Sequence, residues 1–176
     1  MDRPTPSEHH EYYRAYIDRV PDGDILEVLR TGVNATAALV ASPAEALGDH
    51  RYAPGKWTVK ELLTHVIDAE RVFGFRAFWF ARKGPAPLPG YDQDPFTADA
   101  GADRRSVESL IDEFRSVREA NLTLFASIDD EVSRRTGIAS DVEFSVRAFA
   151  YIIAGHEIHH RNQLRDQYLP SYQPAR

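Results

Sequence analysis

Between Ala154 and Gln163 the chain reads AGHEIHHRNQ, which puts three of its seven histidines and a glutamate within five residues. On a helix turning about 100° per residue, His156 and His160 lie about 40° apart on one face, the spacing two imidazoles need to share a metal ion. Gln163 falls on the same face, with His159 to one side and Glu157 to the other. The run His156-Glu157-Ile158-His159-His160 also fits H-E-x-x-H, the zinc-binding helix of metalloproteases. Such a site needs a third ligand, and the sixteen residues after His160 contain neither His nor Glu. A third imidazole must therefore come from upstream, from His9, His10, His50 or His65.

His65 stands out because it sits among Leu62, Leu63, Val66 and Ala69 in a helical stretch. Three nitrogens at about 2.0–2.1 Å would leave coordination positions open for water or substrate, as in catalytic zinc sites. The same donor set suits nickel, or iron if water completes the shell. Plainer readings remain at this point: His65 as a hydrogen-bonded core histidine, and the pair as a polar helix surface near a carboxyl end, where cationic side chains are favoured. Glu157 is a candidate general base if it reaches bound water, and otherwise a solvated or bundle-seam glutamate. Gln163 is a candidate for orienting water or a ligand amide, and otherwise supports a ligand histidine. Asn121 interrupts an apolar stripe, so it either faces the site or satisfies a buried neighbour. Asp68, one turn from His65, could hold the second ring nitrogen, and otherwise makes a surface salt bridge. Trp57, Phe73, Phe75, Phe78, Trp79 and Phe80 read as core or as a dimer contact.

The totals narrow the chemistry. With no cysteine, disulfides, thiolate ligands and a catalytic Cys are excluded, and a thiol nucleophile would have to arrive as a small molecule. A formal charge of -6 argues against nucleic acid or an anionic membrane as partner. The start MDRPTPSEHH has no signal-like apolar run, and no window approaches the ~20 apolar residues of a membrane span, so a cytoplasmic location is expected. A length of 176 residues, 43% hydrophobic and 27% charged, fits one folded domain over residues 1–176.

Helical spacing must position these residues. A short helix is expected from about Ser7 to Val20, closed by Pro21 to Gly23. A second, capped by Asp22 or Asp24, carries Ile25, Leu29, Val33, Ala37 and Val40 until Ser42 and Pro43. Thr58 and Glu61 form a capping box opening a long helix from about Val59 to Arg82. PAPLPGYDQDPFTADAGAD is too rich in Pro, Gly and Asp to be regular. Helix resumes near Ser106 and ends before Gly137, and a last helix runs from near Ser145 to before Pro170. No segment alternates strictly enough for a strand. Four long amphipathic helices and a short leading one make an all-α bundle, whose metal sites are built between facing helices.

PGKWTVKELLTHVIDAERVF around His65 and GHEIHHRNQL around the pair resemble the DinB-like superfamily of small bacterial metalloproteins. The likeness runs from the leading Tyr-rich helix through the APGKW turn and FGFRAFWFAR to the terminal histidine helix. It implies an up-and-down four-helix bundle with long crossover connections and a metal held by His65, His156 and His160. It also implies a metal-dependent hydrolase or a small-thiol-dependent S-transferase acting on a small molecule, since relatives include mycothiol-dependent maleylpyruvate isomerase and bacillithiol S-transferases. The alternative is a non-catalytic metal-dependent stress-response or binding module. The cofactors expected are a divalent ion, zinc or nickel or else iron, and a low-molecular-weight thiol; the partners expected are a small-molecule substrate and a second copy of the chain as a homodimer.

Overall fold

A computed structural model describes residues 1–41, 44–85 and 87–173. Its frame is four helices: α2 (Ile25–Val40), α4 (Val59–Ala81), α6 (Val107–Ala126) and α8 (Val146–Gln163). Shorter pieces join them: α1 (Arg14–Ile17), α3 (Ala44–Gly48), α5 (Gln93–Asp99), α7 (Asp130–Ser133), α9 (Leu169–Ser171) and two strands, β1 (Thr136–Ala139) and β2 (Val142–Ser145).

The helix starts follow from capping chemistry, in which a side-chain oxygen accepts an otherwise orphaned backbone N–H. Asp24 accepts from Leu26 N, Ser106 from Ser109 N and Ser145 from Ala148 N. Thr58 and Glu61 form the expected reciprocal capping box: Thr58 Oγ1 accepts from Glu61 N at 3.0 Å, and Glu61 Oε2 from Thr58 N at 2.7 Å. Ser42 and Pro43, expected to stop α2, lie outside the described residues.

Each bundle helix packs on two others, α2 on α6 and α8, and α4 on α6 and α8. Two apolar clusters fix the directions. One joins Ile25 and Leu29 of α2 to the ends of α4 and α6 and the start of α8; the other joins Val33 and Ala37 of α2 to the starts of α4 and α6 and to Leu164. Two helices thus run up and two down, in the order up, down, down, up. Because α4 and α6 are parallel, the chain from Arg82 to Ser106 must travel the length of the bundle, which is the long crossover.

Several local expectations change. The leading helix is broken into 3-10 turns at Pro6–Glu8 and Glu11–Tyr13 before the single α-turn of α1, and Arg3 ties it down by donating to the carbonyls of Ile17 and Val20. The Pro-rich crossover holds α5, started by Asp92, whose carboxylate accepts from Asp94 N. The helix from Ser106 stops at Ala126, and the chain then forms α7 and the β1–β2 hairpin, paired Thr136 with Ser145 and Ala139 with Val142. Its turn, Ser140 and Asp141, has φ of 53° and 61°, the two positive values a tight hairpin turn requires. The last helix does not stop before Pro170: a π-helical turn, Leu164–Tyr168, carries it into α9. No helix among the described residues is long and apolar enough to cross a membrane.

Candidate metal centre

Between the two apolar clusters lies a level of polar side chains, and the histidines belong to it. His65 comes from the second turn of α4, and His156 and His160 from the last turns of the antiparallel α8. All three are buried, and their ligand nitrogens lie within 4.8 Å of one another. His156 Nε2 is 3.0 Å from His65 Nε2 and 3.2 Å from His160 Nε2. Two nitrogens each bound at about 2.0–2.1 Å to a tetrahedral ion stand about 3.3–3.4 Å apart, so the observed spacing is within a few tenths of an ångström of a ligand set.

The protonation logic points the same way. His160 Nδ1 faces Gln163 Oε1 at 3.1 Å and so carries the proton, leaving the Nε2 lone pair aimed at the cluster. A neutral ring at His156 can offer one N–H to two neighbouring nitrogens, so bare rings leave lone pairs opposed; a cation at the centre satisfies all three. Burial, with His159 nearby, pulls His65 down to about 4; burial, with His65 and His159, pulls His160 down to about 3 against the opposing Gln163 bond; burial and the neighbouring rings hold His156 well below its usual value. The rings are therefore neutral at physiological pH, the form that ligates metal.

The rings are wedged by aromatic neighbours. Trp57 tilts over His65 with ring centroids 4.7 Å apart, and Tyr16 meets His156 and His159 edge-on at 5.4 Å. Tyr16 can approach because position 155 is glycine: a Cβ there would stand 2.0 Å from the Tyr16 carbonyl oxygen. The other upstream histidines are engaged elsewhere, His9 with the His10 carbonyl, His10 with Tyr12 N and His50 with Ser171.

The two candidate catalytic residues, Glu157 and Gln163, lie beside the cluster. Gln163 bonds His160, the partner that fixes a ligand tautomer. Glu157 is 2% exposed, and both its oxygens are engaged: Oε1 accepts from Thr36 Oγ1 at 2.6 Å and Arg161 at 2.9 Å, Oε2 from Arg118 at 3.2 Å. Arg118, fully buried, grips Glu70 of α4 through two bonds of 2.7 and 2.8 Å and donates to the Leu29 carbonyl of α2 at 2.6 Å. Asn121 donates to Glu70 and so satisfies a buried neighbour. Glycines make room for the network: a Cβ at Gly32 would meet Glu157 at 2.2 Å, and one at Gly74 would meet Asn121 at 2.2 Å. Asp68 does not hold the second nitrogen of His65, which has no hydrogen-bond partner among the described residues. Of the aromatic run, Phe73 and Phe80 are core, whereas Phe75 and Phe78 are exposed.

A cleft of about 270 Å³ opens beside His160, lined by Tyr52, Lys56, Trp57, Asp94, Gln163 and Tyr168. The π-helical turn after Gln163 delivers Tyr168, whose hydroxyl donates to the Trp57 carbonyl at 2.8 Å and ties the APGKW turn to the ligand helix.

A family model described as the DinB superfamily matches residues 28–164. No curated protein matches the sequence. Among solved structures the chain is similar to YfiT from Bacillus subtilis, described as a probable metal-dependent hydrolase with an unusual four-helix bundle topology; the two share 14% identity over 94% of this chain and 91% of that chain, with a TM-score of 0.71. At that identity the likeness establishes the fold. The family match runs from the first bundle helix through the last and includes all three histidines, and the chain is therefore a member of the DinB superfamily.

Proposed function

We propose that the chain is a metal-dependent enzyme acting on small molecules, in which His65, His156 and His160 hold one divalent ion, zinc or nickel before iron, and the reaction is hydrolysis or transfer to a small thiol. The observation that carries this reading is the convergence of three buried, neutral Nε2 atoms beside a cleft open at His160. A divalent ion bound there lowers the pKa of a water or thiol toward neutrality, supplying the nucleophile. Gln163 fixes the tautomer of His160, Trp57 and Tyr16 exclude water from the rings, and Arg118 and Glu70 hold the two ligand helices in register. Glu157, committed to three donors, acts as counter-ion to Arg118 and Arg161 instead of as the proton acceptor. The structure of YfiT, described as a probable metal-dependent hydrolase, supports the hydrolytic branch; the absence of cysteine means the thiol branch needs a small external thiol.

Metal analysis by mass spectrometry on untagged native protein and the His156→Ala variant tests the site. About one equivalent of a transition metal, lost in the variant, is expected; a native protein that stays metal-free after zinc and nickel are offered would sink the proposal. If metal binds, ester, amide and thiol-transfer panels follow, and no turnover in any of them would leave a non-catalytic metal-dependent binding module.

A further inference from the structure

We infer that the cleft beside His160 selects small zwitterions, with Lys56 receiving a carboxylate and Asp94 an amine. This rests on the metal reading above, since it specifies what approaches the same histidines. The cleft, about 270 Å³, lies just under the range of about 300–1,000 Å³ that holds drug-sized ligands, so its occupant is nearer the size of an amino acid.

Two oppositely charged residues line this cleft from different parts of the chain, Lys56 from the APGKW turn and Asp94 from the start of α5. Neither charged end has a hydrogen bond or ion pair among the described residues, although nearby charges are paired, Arg51 with Glu61 and Lys60 with Asp49. Their backbones, by contrast, are held. Lys56 N donates to the Ala53 carbonyl at 3.2 Å, Arg51 donates to the Lys56 carbonyl, and Asp94 N is held by Asp92. Both side chains are exposed, so water solvates their charges until a ligand displaces it, and the two signs are not used up on each other.

The rest of the lining agrees. Gln163 gives its carbonyl oxygen to His160, which leaves its amide N–H groups for a ligand oxygen. Trp57, Tyr52 and Tyr168 form flat walls suited to a short carbon skeleton. A zwitterion also suits the molecule as a whole, because a formal charge of -6 repels a multiply charged anion but not a ligand of zero net charge.

Four small thiols separate these contributions when wild type and variants are compared on the same thiol, because each carries a sulfur anchor and they differ in the charged groups beside it: cysteine has both, cysteamine the amine, 3-mercaptopropionate the carboxylate and 2-mercaptoethanol neither. Their dissociation constants are read from the thiolate-to-cobalt absorption of the cobalt(II)-loaded protein. Wild-type protein is expected to bind cysteine most tightly and 2-mercaptoethanol most weakly. Lys56→Met should weaken cysteine and 3-mercaptopropionate about fivefold and leave cysteamine unchanged, and Asp94→Asn should weaken cysteine and cysteamine by a similar factor and leave 3-mercaptopropionate unchanged, as partly screened charge pairs do. A flat ranking, equal effects on all four thiols, or no thiol binding to the cobalt protein overturns the selection while leaving the metal site intact. Failure of the wild type to take up cobalt, zinc or nickel overturns the metal reading itself.

Discussion

His65 is 2% exposed, and His156 and His160 are 7% exposed, so a proton on any of them brings a charge that water cannot solvate. Folding therefore depresses their pKa values from about 6.5, to about 4 for His65 and about 3 for His160. Below 6.5 the unfolded chain binds more protons than the folded one, so the stability of the metal-free protein falls as pH drops from about 6.5 toward 4 and is flat above 6.5. Urea midpoints of metal-free protein at pH 7.5 and 5.0 should differ, each buried histidine accounting for about 1–2 kcal/mol, and His160→Gln should narrow the gap; equal midpoints in the native protein would contradict the burial argument. The ligand trio was legible because its signals are local: an i, i+4 histidine pair, and one histidine among aliphatic neighbours. Arg118, Glu70 and Thr36 were not. An arginine beside Val117 looks like a solvated face until partners from three other helices surround it. Angles around a helix placed Glu157 beside His156 but could not show that Thr36, Arg118 and Arg161 engage it.

At the level of elements, the polar network acts as a register key. Apolar side chains tolerate sliding by a fraction of a turn, whereas the paired bonds of Arg118 to Glu70 and its contacts to Glu157 and Leu29 hold α2, α4, α6 and α8 at one mutual height. Arg118→Met strands the buried carboxylate of Glu70 and takes from Glu157 one of its three donors, and should cost about 3–5 kcal/mol, while Glu70→Gln and Glu157→Gln added to it should restore much of the loss. Thermal midpoints of the single and triple variants check this, and a triple variant no more stable than the single one would contradict the charge account. Helices α2, α4 and α8 were legible to within a residue or so at their starts because their caps and apolar periods are written side by side. The hairpin was not, since its strands are four residues long and its turn is Ser-Asp without glycine. It is steadied instead by distant contacts: Leu88 of the crossover bonds to Ile138 and Ser140, and Arg76 donates to Pro89 and Ser140. The segment α5 escaped notice because Pro, Gly and Asp dominate its surroundings, and its helix rests on packing against α4.

For the molecule as a whole, the parallel course of α4 and α6 has a cost in connectivity: the crossover must be long, and the first and last bundle helices meet only after the whole chain is laid down. The His65–His156 contact spans 91 residues. An ion shared by those rings closes that loop with a reversible covalent-strength clip, in a chain that has no cysteine with which to make a disulfide. By chain-entropy reasoning, closing a loop of that length removes up to about 4–5 kcal/mol of disorder from the unfolded ensemble, if the clip persists there; if it is released on unfolding, its binding energy stabilises the fold by mass action instead. Calorimetry across a series of free zinc concentrations set by a chelator buffer separates these cases. A melting temperature indifferent to zinc, in protein that carries one equivalent of metal, would show that the clip persists in the unfolded chain; one that climbs with the logarithm of free zinc, the signature of an ion released on unfolding, is the expected outcome. The ion would then be a fastening whose tightness is set by the metal supply of its surroundings, so the same chain would be robust where zinc is plentiful and short-lived where it is scarce.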